Sequence, residues 1–595
     1  MPSPTVNELF YRIVERNSER VMMHREPTGW IPVSSRELYR DTAGVARALL
    51  GWKIGKGDRV AILSENRPAW AIADFATLLV GGVVVPLYPT LTGEQIAHML
   101  RDSGTRAIFV STQQQLDKVL VIRDQTPLEQ IVLMDPQEGS PAIRMQDIML
   151  SGPTARDSAL DTLAHEAGPE DLATLLYTSG TTGVPKGVKL THGNLAANFL
   201  CSLNAFPFPE DATSVSFLPL SHITARHVDY ALLHEGVALA YCPFLEDLPR
   251  ALQETKPSIF VAVPRVYEKI RLQAERTARG FAKRHVLDWA LGVGREHRAE
   301  ILAGQRPTAW SWLMADRIVF SKIVEGVGGR VHTFISGGAP LGRELAEWFA
   351  DAGIRIHEGY GLTETSPVIA VNTPRAHRLG TVGKPLPNVD VKIAEDGEIL
   401  VKGPSVFHGY WNKPQETADA FVDGFFKTGD IGSLDANGFL WVTDRKKDLI
   451  KTSGGKFIAP QPIENSLKHN ALIAEAVVLG DKRKFPAVLI SPYFPLLEDW
   501  ARANQVVFSS RADLVANPKV QSLYEGIIED LNSNLARFEK LKRVLVIPNE
   551  FSAEDGTLTP SMKVRRRAIE QNYRQLIDDM YAQADAAPVA DHIPG

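Results

Sequence analysis

The sequence predicts an α/β protein. A large N-terminal domain contains two parallel-sheet α/β subdomains and a small β-rich subdomain, and a smaller, mobile α+β domain follows it. Three observations carry this expectation. The chain has 595 residues, more than one hydrophobic core organises, because single cores stop growing near ~250–300 residues. Short β-branched runs alternate with helical patterns through its first half, and after Leu379 the texture changes to closely spaced strands separated by Gly, Pro and Asn turns.

The alternating part begins with apolar runs at 59–63, 83–87, 107–110, 130–134, 258–263 and 331–336. Continuous apolar runs joined by helical segments are the pattern of parallel strands covered on both faces. The most apolar stretch, 75–87, carries Thr77, two glycines and Pro86. It falls short of the ~20 residues a bilayer span needs and reads as a buried helix entering a buried strand. A helical insertion is expected at about 266–328, with Trp289, Trp310 and Trp312 set among Arg, Lys and Glu. It reads as an extra helical layer or as an interfacial surface that collects a lipid-like substrate, and helical periodicity does not separate the two. Strands at 390–393, 398–401, 431–434 and 439–443 suggest a small antiparallel unit, and the charged stretch 444–448 reads as a linker. The expected division is therefore 1–444, 445–585 and a frayed tail at 586–595.

Composition excludes several classes. Lys and Arg number 65 against 70 Asp and Glu, for a net charge of −5, which gives no general grip on nucleic acid. Cys201 and Cys242 are far apart and form no CxxC pair, as suits a reducing compartment rather than a disulfide scaffold or structural zinc. The first seventeen residues carry Glu8 and Glu15 and no apolar stretch of secretion-signal length. The expected location is cytoplasmic, with peripheral contact at the inner membrane face left open, as is a homodimer.

The sharpest local signal is YTSGTTGVPKGV at 177–188, after the apolar segment 172–176. A strand feeding Gly180, Thr181, Thr182 and Gly183 presents backbone N–H groups and hydroxyls to polyphosphate oxygens, and Lys186 adds a positive charge. No GxxxxGK[ST] can be drawn, so this is not a Walker A loop. At 331–336 a strand opens into Gly337, Gly338 and Ala339, the usual ligand position of an open α/β sheet, with room for a flat base. Glu364 supplies a carboxylate able to hold Mg²⁺ while the hydroxyls of Thr178, Thr181 or Thr182 approach the phosphates. Asp430, expected at a turn, offers a carboxylate to a ribose diol.

Together with SGGAPL (336–341), GYGLTET (359–365), FKTGD (426–430), DRKKDLIKTSGGK (444–456) and LTPSMKVRR (558–566), these motifs run in order over nearly the whole chain. The sequence so resembles the acyl-adenylate-forming superfamily of acyl-CoA synthetases, luciferases and peptide-synthetase adenylation domains. The resemblance implies Mg²⁺, with ATP and CoA as co-substrates. It implies that 336–341 lines the adenine and Tyr360 stacks on it, that Glu364 and Thr181 serve the metal, and that Asp430 holds the ribose with Arg445. Lys447 is then the hinge and Lys563 the cation for the first half-reaction. Gly454 and Gly455 pass the pantetheine arm. Ser179, Gly361, Thr363 and Lys451 complete the nucleotide-binding set.

His222, in LPLSHI, falls where the family has an aromatic or histidine gate beside the acyl channel, although a capping histidine reads almost as well. Arg565, Arg566 and Arg567 read as a solvated run, with contact to CoA phosphates the second reading. VPRVYEKI at 263–270, the helical insertion and LTPSMKVRR resemble the long-chain fatty acyl-CoA synthetase branch. The expected partners are a fatty acid, ATP and CoA. An acyl-AMP ligase loading a carrier protein, or a nucleotide binder without ligase activity, remains open at this point.

Overall fold

The computed structural model describes residues 4–135, 137–179, 185–278, 280–452, 457–552, 554–559 and 564–586. The chain divides into two compact units: Met1–Thr428 with Ser433–Trp441, and Gly429–Gly432 with Val442–Gly595.

Two open sheets organise the first unit. In one, seven strands lie in the order Ile143–Arg144, Gln130–Leu133, Ala107–Val110, Arg59–Leu63, Val83–Leu87, Leu172–Ser179 and Pro185–Thr191. All neighbours are parallel except the last pair. In the other, nine strands lie in the order Lys384–Pro385, Val368–Val371, Ile356–Gly361, Thr333–Ser336, Ile259–Ala262, Thr213–Ser216, Ala238–Tyr241, Met22–Glu26 and Gly29–Val33. Its middle is parallel and both edges are antiparallel.

Every residue of Val83–Leu87, Ala107–Val110, Ile259–Ala262 and Thr333–Ser336 is buried. These strands therefore lack a polar alternation because both faces are covered. The helix Pro68–Leu79 begins with proline in its first turn, where the missing N–H costs nothing. It ends at Gly81, whose φ of +73° turns the chain into Val83–Leu87. Between the strands Ile259–Ala262 and Thr333–Ser336 the chain forms the helices Pro264–Thr277, Phe281–Leu302, Trp310–Ala315 and Ser321–Glu325.

A smaller sheet contains Asp390–Ile393, Glu398–Lys402, Phe425–Leu434 and Phe421–Val422, and Leu440–Arg445 pairs with its long strand. Two expectations change here. Asp430 stands inside the strand Phe425–Leu434 rather than at a turn, and Gly429, at φ +71°, supplies the local break that resembled one. The segment read as a linker opens as strand, since Leu440–Arg445 takes in its first two residues. Asp444 is buried and accepts the backbone N–H groups of Arg445 at 2.7 Å and Gln461 at 2.9 Å. Its charge is thus a local cap rather than a solvated linker residue, and burial pushes its carboxyl up to about 6.

In the second unit the strands Ile473–Leu479, Ala487–Pro492 and Val544–Val546 form one sheet. Val478 and Ile490 face a core with Ile463, Leu497 and Tyr524. Val477 and Leu489 face another with Ile569 and Ile577. The period-2 alternation of a strand thus feeds two apolar layers at once.

A buried polar cluster ties the helix Ile223–Glu235 to the helix Pro68–Leu79. Arg226 donates to Asp74 through Nη2 at 2.5 Å and Nε at 3.1 Å, and Tyr230 also donates to Asp74. Arg226 and Asp74 are both 1% exposed, so neither charge can turn to water. Deleting one partner of such a pair strands the other, at a cost of about 3–5 kcal/mol. Arg226→Ala is therefore expected to lower the calorimetric melting temperature of the first unit markedly. Exchanging both partners together for apolar residues of similar size is expected to recover most of the loss.

Candidate active site

YTSGTTGVPKGV folds as an antiparallel hairpin in which Tyr177 faces Gly187, Thr178 faces Lys186 and Ser179 faces Pro185. Gly180, Thr181, Thr182 and Gly183 fall in 180–184, outside the described residues, as does the side chain of Ser179. Lys186 stands on the return strand, so its backbone is held by ladder hydrogen bonds while its side chain can reach.

The base of the hairpin is clamped by residues that the sequence did not single out. Trp411 donates its backbone N–H to Gly187 O at 2.7 Å, and Tyr410 bridges Val188. The Trp411 indole donates to Asp102 O at 2.9 Å, and Tyr177 Oη donates to Asp102 Oδ2 at 2.6 Å. A Cβ at Gly187 would lie 3.1 Å from that of Trp411, so the close approach favours glycine. The available signal was GYW at 409–411, an aromatic pair after glycine near the end of the first unit.

The second element is the carboxyl edge of the nine-stranded sheet. Thr333–Ser336 ends in Gly337, Gly338 and Ala339, and Gly337 donates its N–H to Ala262 O at 3.2 Å. Gly338 has φ +83°, which glycine adopts without strain. The following helix starts at Arg343. The neighbouring strand Ile356–Gly361 sets Glu358 opposite Ser336, so SGGAPL and GYGLTET lie side by side. Glu358, also missed, accepts the N–H of Leu341 at 3.0 Å, and burial pushes its carboxyl up to about 7.

Tyr360 pairs with Ala370, and the ladder shifts register between Tyr360 and Gly361. A Cβ on Gly361 would lie 1.8 Å from Pro367 O, so only glycine fits. Thr363 and Glu364 then form a single 3-10 turn, Thr363–Thr365, whose Glu364 carbonyl accepts the N–H of Phe407 at 2.8 Å. Glu364 Oε1 accepts the hydroxyl of Tyr410 at 3.0 Å, and Lys186 Nζ lies 5.3 Å from the centroid of the same ring. Three segments, around 186, 364 and 410, are thereby joined within one unit.

His222 caps the helix Ile223–Glu235, its Nδ1 accepting the N–H of Thr224 at 3.1 Å. The capping reading therefore holds for Nδ1, which in the neutral ring leaves the proton on Nε2.

In the second unit, Asp430 is 3% exposed and its Oδ1 lies 3.2 Å from Arg445 Nε. Lys447 is exposed, and partial desolvation, with Arg445 nearby, pushes its ammonium below the usual lysine range. Lys451 donates its N–H toward Asp481 and sets its ammonium 5.3 Å from the Phe457 ring. Gly454, Gly455 and Lys563 lie outside the described residues. The arginine run is not uniformly solvated. Arg566 donates to Glu464 and to Val478 O, both at 2.6 Å, so it anchors the second unit, while Arg565 and Arg567 are exposed.

An open α/β body that joins the strands flanking the 177–188 motif to small residues at a strand end and to the Glu364 turn fits an enzyme of the adenylate-forming class. Residues 10–411 match the family of AMP-binding enzymes, and residues 447–585 match the AMP-binding enzyme C-terminal domain. The chain belongs to that family. It is 35% identical over 563 residues to the long-chain-fatty-acid–CoA ligase FadD15 of Mycobacterium bovis, covering 93% of this chain and 92% of that protein. It is 30% identical over 619 residues to the long-chain-fatty-acid–CoA ligase ACSBG1 of Homo sapiens, covering 97% and 85%. Among solved structures, the adenylation domain of a carboxylate reductase from Mycobacterium chelonae superposes with a TM-score of 0.76 at 23% identity, covering 98% of this chain and 92% of that one. The anthranilate CoA ligase AuaEII with anthranoyl-AMP gives 0.73 at 18%, covering 99% of both. Both likenesses are of fold.

Gly361→Ala is expected to displace the Glu364 turn. A misplacement of about 1 Å can cost about a hundredfold, so calorimetric titration with a non-hydrolysable ATP analogue and Mg²⁺ should show weakened binding by an order of magnitude or more.

Proposed function

We propose that this chain is a long-chain fatty acid–CoA ligase that forms acyl-AMP and pyrophosphate from the acid and Mg·ATP, then acyl-CoA and AMP. The observation that carries the proposal is the linkage of Lys186, Glu364 and the GYGLTET strand end within the first unit. Identity to ligases of long-chain acids over more than nine tenths of the chain supports the substrate class.

In the first step a carboxylate oxygen bonds to the α-phosphorus as the α–β P–O bond breaks and pyrophosphate leaves. Charge grows on the phosphates, where fixed cations are worth most. Lys563 supplies that charge in this reading. Glu364 offers hard oxygen to Mg²⁺, helped by Thr181. Among the described residues no group of three or more His, Cys, Asp or Glu could hold a metal alone. That suits a cation whose remaining ligands come from ATP and water. Bound there, Mg²⁺ would neutralise phosphate charge. Asp430 and Arg445 serve the ribose, and Ser336–Leu341 with Tyr360 the adenine. In the second step the CoA sulfur bonds to the acyl carbon and AMP departs. Lys447 is the hinge between the two steps, and Gly454 and Gly455 give the pantetheine arm a close approach.

A long acyl chain dissolves in membranes, and the helical insertion has the character of a membrane-facing surface. Residues 264–330 hold 13 Lys and Arg against 7 Asp and Glu, opposite in sign to the chain as a whole. Phe281, His285 and Trp289 repeat at i, i+4 and i+8 on one helix, and Phe281 and Trp310 are 83% and 76% exposed. No described helix is long and apolar enough to cross a membrane. Exposed aromatics among basic residues suit peripheral contact with anionic lipid.

Lys563→Ala is expected to abolish acid-dependent ATP–pyrophosphate exchange while retaining thioester formation from supplied acyl-AMP. Equal loss of both would reject the division of labour. A panel of fatty acids with AMP release as readout is expected to favour long chains, and thioester formation on a carrier protein but not on free CoA would redirect the proposal. Phe281→Ser with Trp310→Ser is expected to reduce co-sedimentation with phosphatidylglycerol vesicles severalfold at unchanged melting temperature. Equal binding to phosphatidylcholine vesicles would refute the electrostatic part.

A further inference from the structure

Tyr410 lies outside every motif that the sequence analysis assigned a role, yet its side chain touches two of the residues those motifs contribute. Its hydroxyl donates to Glu364 Oε1 at 3.0 Å. Its ring face carries the Lys186 ammonium at 5.3 Å. The rest of the residue is tightly fixed. The backbone N–H donates to Thr417 Oγ1 at 2.9 Å, the ring packs edge-on against Phe407 at 4.9 Å, and the backbone bridges Val188 beside the phosphate hairpin. Phe407 in turn holds the Glu364 carbonyl at 2.8 Å.

We infer that Tyr410 is a positioning residue that holds the Glu364 carboxylate for the cation of Mg·ATP and carries Lys186 on its ring until polyphosphate draws the ammonium away. The inference rests on the reading of Glu364 as the metal carboxylate and Lys186 as a phosphate cation. A phenol bound to Oε1 restricts the rotation of the carboxylate that would ligate a cation. Hydrogen bonds of this kind to ligating carboxylates typically set metal affinity by 10–100-fold. The ring attracts the ammonium through its quadrupole, without accepting its proton and without competing with phosphate oxygens for a hydrogen bond. One side chain thus orders an acidic and a basic group and gives each a partner that the substrate can replace or leave in place.

The two functions separate chemically. Tyr410→Phe keeps the ring and deletes the hydroxyl, whereas Tyr410→Leu deletes both. The measurement is calorimetric binding of α,β-methylene ATP across a Mg²⁺ series, with melting temperature recorded for each variant. For Tyr410→Phe the Mg²⁺ concentration giving half-maximal affinity is expected to rise about tenfold, with metal-free analogue binding unchanged. Tyr410→Leu is expected to show the same rise and, in addition, a severalfold loss of metal-free binding. Loss of affinity that is equal with and without Mg²⁺ in both variants and tracks a fall in melting temperature would reduce Tyr410 to packing and overturn the inference. Glu364→Gln in the same series separates the two levels. If it shifts the Mg²⁺ dependence and Tyr410→Phe does not, the tyrosine's role fails alone. If Glu364→Gln shifts nothing, the metal reading fails and the inference with it.

Discussion

A strand buried on both faces can offer a ligand nothing along its length, because every backbone group there is already paired and every side chain is packed. Only its ends are free. That constraint governs the first unit, where Thr333–Ser336 and its neighbours are buried residue by residue. Gly337, Gly338 and Ala339 follow at once; Tyr360 lies at the end of the adjacent strand and Glu364 just beyond it. The proposed site lies at this carboxyl edge, where the covering of the faces ends.

Edges are weakly held, so the site needs fastening. The segment around Tyr410 and Trp411 performs that work from outside the sheets' own ladders. Trp411 locks the hairpin base through Gly187 and Asp102, and Tyr410 joins Lys186 to Glu364. Glycine at 361 lets one approach close to a distance no Cβ would permit, and glycine at 187 relieves a tight contact with Trp411. Buried polar groups that hydrogen-bond one another rigidify their surroundings, and the Arg226–Asp74–Tyr230 cluster joins two helices away from the site in this way, with Arg226 Nη1 left unpartnered.

The second unit shows how far a charged run can mislead. Arg565, Arg566 and Arg567 are identical letters in sequence, yet Arg566 is spent on Glu464 and Val478 O while its neighbours are exposed. Asp444 opens a stretch of alternating charge and is nonetheless buried, satisfied by two backbone N–H groups. Which member of a run turns inward depends on partners that arrive from distant positions.

The strands at 59–63, 83–87 and 107–110 were legible to the residue because apolar runs bounded by turn residues have one compact solution, burial between helices. The motifs at 177–188 and 359–365 stood out because each packs its distinctive residues together in sequence. Asp430 was legible as a carboxylate of interest but not as a strand residue, because Gly429 imitates a turn. His222 was legible as a gate or a cap, and the cap emerged only with the position of Thr224 N–H. Tyr410 and Trp411 were not legible, because Glu364, Lys186 and Asp102 lie far away in the chain, and Glu358 was not, because its partner Leu341 sits on the neighbouring strand's exit. Sequence by itself determined the fold class, the family and the identity of the polar groups at the strand ends, all of which are local or periodic properties. Tertiary structure alone decided which groups touch, since a contact between Lys186, Glu364 and Tyr410 exists only after three separate segments have been brought to one edge.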